Sequence, residues 1–193
     1  MTQTVTFLSG NKGKWNQIQQ EFASYKHLDF TLSLNDTIDL EEIQGTAEEI
    51  IKKKCLEAFD ILKVPVLVED TSLYFNALDG LPGPYIKHFH KSLGLDGLVK
   101  ILSEFEDKSA QALCLFGYYD KDMTEPEIFR GVVDGSIVKP VVVKEYFGWD
   151  PIFKPDTFEK TFAEMTIEDK NKISHRGKAF RNFVEWKTSK PAK

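Results

Sequence analysis

Cysteine is scarce in this chain: Cys55 and Cys114 are the only two in 193 residues. A disulfide framework is thereby excluded, and the lack of any CxxC pair leaves no sign of a structural zinc site. Both cysteines fall in segments that read as a helix and an apolar strand. Buried free thiols in a reducing compartment are therefore expected. Long apolar runs are missing too. Near the amino end only Val5-Thr6-Phe7-Leu8 is apolar, far too short for a signal peptide or a membrane span. The cytoplasm is the expected location, with nuclear entry open to a chain of this size. Nor is there an excess of positive charge. The net charge of −5 argues against a general nucleic-acid binder, whose affinity would rest on a basic face. It leaves room for a small anionic ligand, because a pocket can be basic in an acidic protein. Internal repeats and low-complexity tracts are absent, and only residues 187–193 read as a frayed tail.

With 41% apolar and 12% aromatic residues, the chain can close a sizeable core. Its length fits one domain, with room for an added lobe, and no linker divides it. Thr4 to Leu8 reads as a strand rich in β-branched and aromatic residues. Ser9-Gly10-Asn11 breaks it, and Trp15, Ile18 and Phe22 recur at helical spacing afterwards. Phe30 to Leu34 reads as a second strand. Glu48 to Leu62 is the clearest helix, with a stripe of Ile51, Cys55, Ala58, Phe59 and Leu62 and a capping box from Thr46 and Glu49. Val66-Leu67-Val68 fits a strand buried on both faces, ending in Glu69-Asp70-Thr71. Gly80 to Pro84 makes a tight loop, followed by helices over Tyr85 to Lys91 and Asp96 to Phe105. Ala110 to Tyr119 and Ile128 to Val133 are strand candidates, and Asp134-Gly135 is a hairpin signal into Ser136-Ile137-Val138. Thr166 to Lys187 reads as a closing helix that Gly177 weakens. The sum is a mixed α/β fold, with strand-helix-strand units early and antiparallel strands later.

The chemistry begins at Ser9-Gly10-Asn11-Lys12-Gly13-Lys14. A glycine turn from strand to helix exposes backbone N–H groups, and these with the helix dipole favour an anion. Lys12 and Lys14 add charge, while Ser9 and Asn11 add hydrogen bonds. The G-x-x-x-x-G-K-[ST] spacing of a P-loop is missing, so on spacing alone an ordinary turn with solvated lysines fits equally. Glu41-Glu42 and Glu69-Asp70 supply acids, the second pair where open α/β sheets place ligands. Magnesium takes such oxygens, although solvated surface acids read the same way. Within Lys52-Lys53-Lys54, successive helical residues diverge by about 100°, and Lys54 is best placed to reach inward. Phe147-Gly148-Trp149-Asp150 offers an aromatic face for a nucleobase, or simply core. Ser174-His175-Arg176 is a polar cluster on the last helix. His88 and His90 do not read as a metal pair, since positions i and i+2 of a helix face apart.

Taken in order, these residues resemble the inosine triphosphate pyrophosphatase family. The signature is Ser9-Gly10-Asn11-x-x-Lys14, Glu42 before a helix carrying Lys54, Val68-Glu69-Asp70-Thr71, Gly80-Leu81-Pro82-Gly83, Phe147-Gly148-Trp149-Asp150-Pro151 and Ser174-His175-Arg176. It runs from about Thr4 to Phe183, and six motifs in register are specific. Gly80 to Lys87 and Ala163-Glu164-Met165 look like the eukaryotic branch. The resemblance implies an elongated α/β fold, a twisted mixed sheet forming two lobes with the site in the cleft, and a homodimer. It implies Mg-dependent hydrolysis of inosine, deoxyinosine and xanthosine triphosphates to monophosphate and pyrophosphate, with manganese a possible substitute. Ser9 to Lys14 would bind the triphosphate with Lys54, and Glu42 and Asp70 would hold the metal. Thr71 would contact the nucleotide, and Phe147 would stack on the base beside Gly148, Trp149 and Asp150. Lys170, His175 and Arg176 would reach the base edge or phosphates. Asp70 would activate a water against the α-phosphorus, with Lys14 and Lys54 steadying the leaving pyrophosphate. Glu69 stands where bacterial relatives often have aspartate, and the resemblance leaves it open as metal ligand or supporting group. The rivals are a pyrophosphatase of broader substrate range, an idle nucleotide sensor, and a single-strand RNA binder that the acidic balance disfavours.

Overall fold

The computed structural model describes residues 2–189. In chain order the strands are β1 (Gln3–Leu8), β2 (Phe30–Asn35), β3 (Val66–Phe75), β4 (Pro82–Gly83), β5 (Ser109–Tyr119), β6 (Glu127–Ile137) and β7 (Phe153–Pro155). The helices are α1 (Lys12–Ala23), α2 (Ala47–Leu62), α3 (Ile86–Ile101), α4 (Ile167–Ile173) and α5 (His175–Ser189). One sheet in the order β2-β1-β3-β5-β6-β7 joins them, with β4 paired to β3. β1 is parallel to β2 and β3, and every later pairing is antiparallel. The fold is thus α/β with a mixed sheet, parallel where helices cross over and antiparallel beyond.

Side-chain alternation along the strands sorts the core by face. On one face α2 lays Ile51, Cys55 and Ala58 over Val66, Val68, Leu113 and Leu115. On the other, Ile18 of α1 and Phe180 and Phe183 of α5 meet Val5, Phe7, Leu67 and Phe116. Farther along the same sheet, Ile86 and Leu98 of α3 pack with Leu73, Phe75, Ala112 and Val133. Each Val, Leu, Ile or Phe among them contributes about 1.5–3 kcal/mol by leaving water. Both cysteines are free and buried, and burial pushes their thiols up. No described helix is long and apolar enough to cross a membrane.

The Thr46–Glu49 capping box is present: Thr46 N–H donates to the Glu49 carboxylate at 2.8 Å, and Glu49 N–H to Thr46 Oγ1 at 3.2 Å. Three elements depart from the sequence-based expectation. β3 does not end at Glu69-Asp70-Thr71 but runs on to Phe75, paired to β5 throughout. The acids are tolerated inside a strand because cations from three helices meet them. β6 likewise passes straight through Asp134-Gly135. Gly135 serves close approach there, since a Cβ would stand 2.5 Å from the Lys154 carbonyl oxygen of β7. The closing helix is broken: Ser174 is extended (φ −66°, ψ 156°), and its Oγ accepts from Gly177 N–H at 3.0 Å. Gly177 is needed at that corner, where a Cβ would meet the Asn171 carbonyl at 1.8 Å. The break places His175 and Arg176 in the first turn of α5. The two helices expected over Tyr85 to Phe105 are present within α3, parted by the non-helical Gly94 (φ 67°, ψ −175°), and the second stops at Ile101. Of the tail expected to fray, residues 187–189 complete α5, and residues 190–193 lie outside the described residues.

Candidate functional site

Two neighbouring acids on a strand point to opposite faces, and this divides the site. Glu69 shares the face of Leu67, under α1 and α5. Its fully buried carboxylate pairs with Lys14 Nζ at 2.7 Å and Arg176 Nη2 at 3.3 Å. It also accepts from the Thr71 hydroxyl and, at 3.2 Å, from Cys114 Sγ. Burial alone would raise its pKa, but Lys14 and Arg176 hold the carboxyl far below the usual range. Asp70 shares the face of Val68, under α2. There it accepts from Lys54 Nζ at 2.7 Å, and Glu42 accepts from the same nitrogen at 3.1 Å. Of the basic run on α2, only Lys54 is buried. Burial opposes its charge, yet Asp70 and Glu42 together raise its pKa. Burial lifts Asp70 above an ordinary aspartate in spite of Lys54 and Lys14. Glu42 goes the other way: burial is outweighed by Lys54 and Lys87, which lower it.

Of these groups Lys14, Glu42, Lys54, Glu69, Thr71 and Arg176 line a cavity of about 700 Å³. Ser9, Gly10, Asn11, Lys12 and Lys14 form part of its wall. Asn11 caps α1, its side chain accepting from Lys14 N–H at 3.2 Å, and Asn11 N–H donates to Ser9 Oγ at 3.2 Å. Both polar side chains thus hold the turn in shape. The helix start has no acidic residue in its first turn to offset the dipole.

Phe147, Gly148, Trp149, Asp150, His175 and Arg176 form another part of the wall. His175, only 2% exposed, lies stacked between Trp149 and Phe162, with ring centroids 5.4 and 5.8 Å away. Neither ring nitrogen has a hydrogen-bond partner. Arg176 donates from Nη1 to Gln17 at 2.8 Å and from Nη2 to Thr71 at 3.0 Å, while its Nε is unpartnered. Buried polar groups are almost always satisfied, so such orphans on a cavity wall mark a place for a ligand. Trp149 is buried and engaged with His175, which leaves Phe147 as the more open aromatic face. Lys170 pairs with Asp150 behind this wall, 5.5 Å from the Phe147 ring centroid. Burial pushes Asp150 up and Lys170 down.

A model of the Ham1 family matches residues 5–186. The chain belongs to the Ham1 family. The inosine triphosphate pyrophosphatase of Scheffersomyces stipitis is 47% identical over 191 residues, spanning 94% of this chain and 97% of that one. Its Neurospora crassa counterpart is 47% identical over 182 residues, spanning 94% and 91%. Among solved structures, a Ham1 protein of Staphylococcus aureus superposes with a TM-score of 0.80 at 28% identity, covering 95% of this chain and 97% of that one. A Ham1 protein from Coxiella burnetii gives 0.83 at 25% identity, covering 97% and 100%.

Within this Ham1-family chain, all but three of the residues that the resemblance assigns to the site reach the cavity wall. Asp70 stands just behind Lys54, Lys170 behind Asp150, and Gly13 behind Phe147. Sequence reasoning missed Lys87 and His90 of α3, which line the mouth; Lys87 also pairs with Glu42 at 3.0 Å. No spacing rule points to them, because α3 comes to the site from a separate part of the fold. Glu42 and Asp70 converge on one cation position, the Lys54 ammonium. Two carboxylate donors suit magnesium, which completes its shell with water and phosphate oxygens. Among the described residues no cluster of three or more His, Cys, Asp or Glu forms a closed cage.

His175 carries a pH signature. Its burial, then Arg176 and Lys170, hold the imidazole well below its ordinary 6.5. As pH falls through 6.5 the unfolded chain takes up a proton that the folded chain refuses, so stability must fall. Chemical denaturation at pH 7.5 and 5.5 should show that loss, with a slope of at most about 1.4 kcal/mol per pH unit from this residue. His175→Phe, which keeps the stack, should show a shallower loss; an unchanged slope would mean the imidazole is charged or exposed.

Proposed function

We propose that this Ham1-family protein hydrolyses inosine, deoxyinosine and xanthosine triphosphates to the monophosphate and pyrophosphate, removing deaminated purines from the nucleotide pool. The observation that carries this reading is the meeting of two kinds of group on the wall of one cavity. Lys14 at the start of α1 and Lys54 of α2 line it together with Phe147 and the unsatisfied donors of His175 and Arg176. The names of the fungal relatives support the same substrate class.

The triphosphate lies against the N-terminus of α1, where backbone N–H groups, Lys12 and Lys14 meet its oxygens. Phe147 stacks on the base, and Thr71 contacts the nucleotide. Asp70, raised by burial, takes the proton from a water that attacks the α-phosphorus. The bond from that phosphorus to the bridging oxygen breaks, and Lys14 and Lys54 stabilise the departing pyrophosphate. Magnesium, or manganese in its place, held by Glu42 and Asp70, would neutralise phosphate charge. Base choice follows from donor direction. Hypoxanthine and xanthine present O6 as an acceptor, which matches a guanidinium donor; adenine presents an amino donor instead. Leaving buried donors unpaired discriminates by a factor on the order of 10⁴. Cytoplasmic location and a homodimer belong to this reading through the family resemblance, and sedimentation equilibrium measures the second.

Hydrolysis of inosine triphosphate in oxygen-18 water tests the bond assignment. The label is expected in inosine monophosphate. Label in pyrophosphate, or release of orthophosphate as first product, would contradict attack at the α-phosphorus.

A further inference from the structure

Gly13 has no conformational need to be glycine. It lies in the first turn of α1, and its φ is not among the positive values of the chain. Most other residues would stabilise the helix better. What the position lacks is space. A Cβ there would stand 2.5 and 2.6 Å from Cε2 and Cδ2 of the Phe147 ring. The ring is held elsewhere by Arg176, whose guanidinium lies 5.4 Å from its centroid, and by Lys170 at 5.5 Å. The backbone beside it is fixed by Gly148 at φ 53° and by Asp150 N–H donating to the Phe147 carbonyl at 3.1 Å.

We propose that Gly13 is a positioning and specificity residue: the missing side chain is the socket for Phe147, which fixes the stacking face against the phosphate-binding helix. This contact joins the start of α1 to the aromatic part of the cavity wall. One turn of α1 therefore carries the phosphate donors and sets the distance from them to the base. A Cβ would meet one edge of the Phe147 ring and, at 3.3 Å, Asn11 Oδ1; both are side-chain atoms that can turn aside, so the fold survives substitution and base binding bears the loss. The inference rests on the proposed reading of Phe147 as the base-stacking residue.

Gly13→Ala, Phe147→Ala and the double variant test it. Gly13→Ala should raise KM for inosine triphosphate about tenfold, the scale of one lost base stack, while kcat changes less than threefold. Inorganic tripolyphosphate, which has no base, should inhibit wild type and Gly13→Ala with constants within twofold of each other. In the Phe147→Ala background, Gly13→Ala should add less than twofold to KM, because neighbours acting through one contact are non-additive. The melting temperature of Gly13→Ala should not fall. Nuclear Overhauser contacts between Gly13 Hα and a ring-labelled Phe147 should be present in the wild type and lost in Gly13→Ala. An unchanged KM, a matching rise in the tripolyphosphate constant, additive effects, or absence of the ring contact in an active wild type would overturn the socket alone. A wild type with the ring contact but no turnover of inosine triphosphate would overturn the functional reading and the base-positioning role together.

Discussion

Asp70→Asn is expected to lower kcat for inosine triphosphate by about 10²- to 10⁴-fold, the usual contribution of a positioned general base. The substitution keeps shape and removes basicity. The amide oxygen it introduces can still accept from Lys54, which lies 2.7 Å from the Asp70 carboxylate. Lys54 also keeps Glu42 at 3.1 Å, so no buried cation is left alone. Folding should therefore survive, and the loss should appear in turnover rather than in the melting curve. KM should move much less than kcat, because Lys14, Phe147 and His175 still hold the nucleotide. Steady-state kinetics beside a thermal melt separates these outcomes. Near-normal turnover with an intact melt would remove Asp70 from the reaction.

Glu69→Gln should have the opposite signature, a loss of stability before a loss of chemistry. The Glu69 side chain is fully buried and answers two cations, Lys14 and Arg176, of which Arg176 is itself almost wholly enclosed. Removing one partner of a buried ion pair leaves uncompensated charge and costs about 3–5 kcal/mol. For a chain of this length the melting temperature should drop by roughly 10 °C. The difference must also depend on pH. Lys14 and Arg176 hold the folded carboxyl far below its ordinary 4.5. Its stabilisation is therefore complete above pH 4.5 and is lost as pH falls below that value. The gap between wild type and Glu69→Gln should narrow on the acid side. A gap that is small, or constant with pH, would show that Glu69 does not anchor the two cations.

What the chain discloses of this arrangement, and what it hides, follows from where the determining contacts lie. β1, the glycine turn, α1 and α2 are written in local pattern and capping residues, with Thr46 and Glu49 present as a capping box. Buried Lys54 was legible from its place beside Cys55. The course of β3 was not. Charged Glu69 and Asp70 end a strand by local rules, and only cations from α1, α2 and α5 let β3 continue through them. The same holds for Gly135 and Gly177, whose meaning is a neighbouring backbone distant in sequence or around a corner. Ser174 reads as mid-helix until its Oγ is seen to cap α5. Glu69 was visible as an acid, yet its part as the anchor of Lys14 and Arg176 depends on strand alternation and on helices that close over one face. His90 and Lys87 gave no local signal of reaching the cavity.

The central claim is that Phe147, His175 and Arg176 choose a keto purine while the start of α1 holds the triphosphate. Initial rates of pyrophosphate release from ITP, dITP, XTP, ATP and GTP, side by side with magnesium, measure it most directly. The account predicts that kcat/KM for ITP, dITP and XTP exceeds that for ATP by at least about 100-fold, within the discrimination that unpaired buried donors impose. Comparable values for ITP and ATP would contradict it.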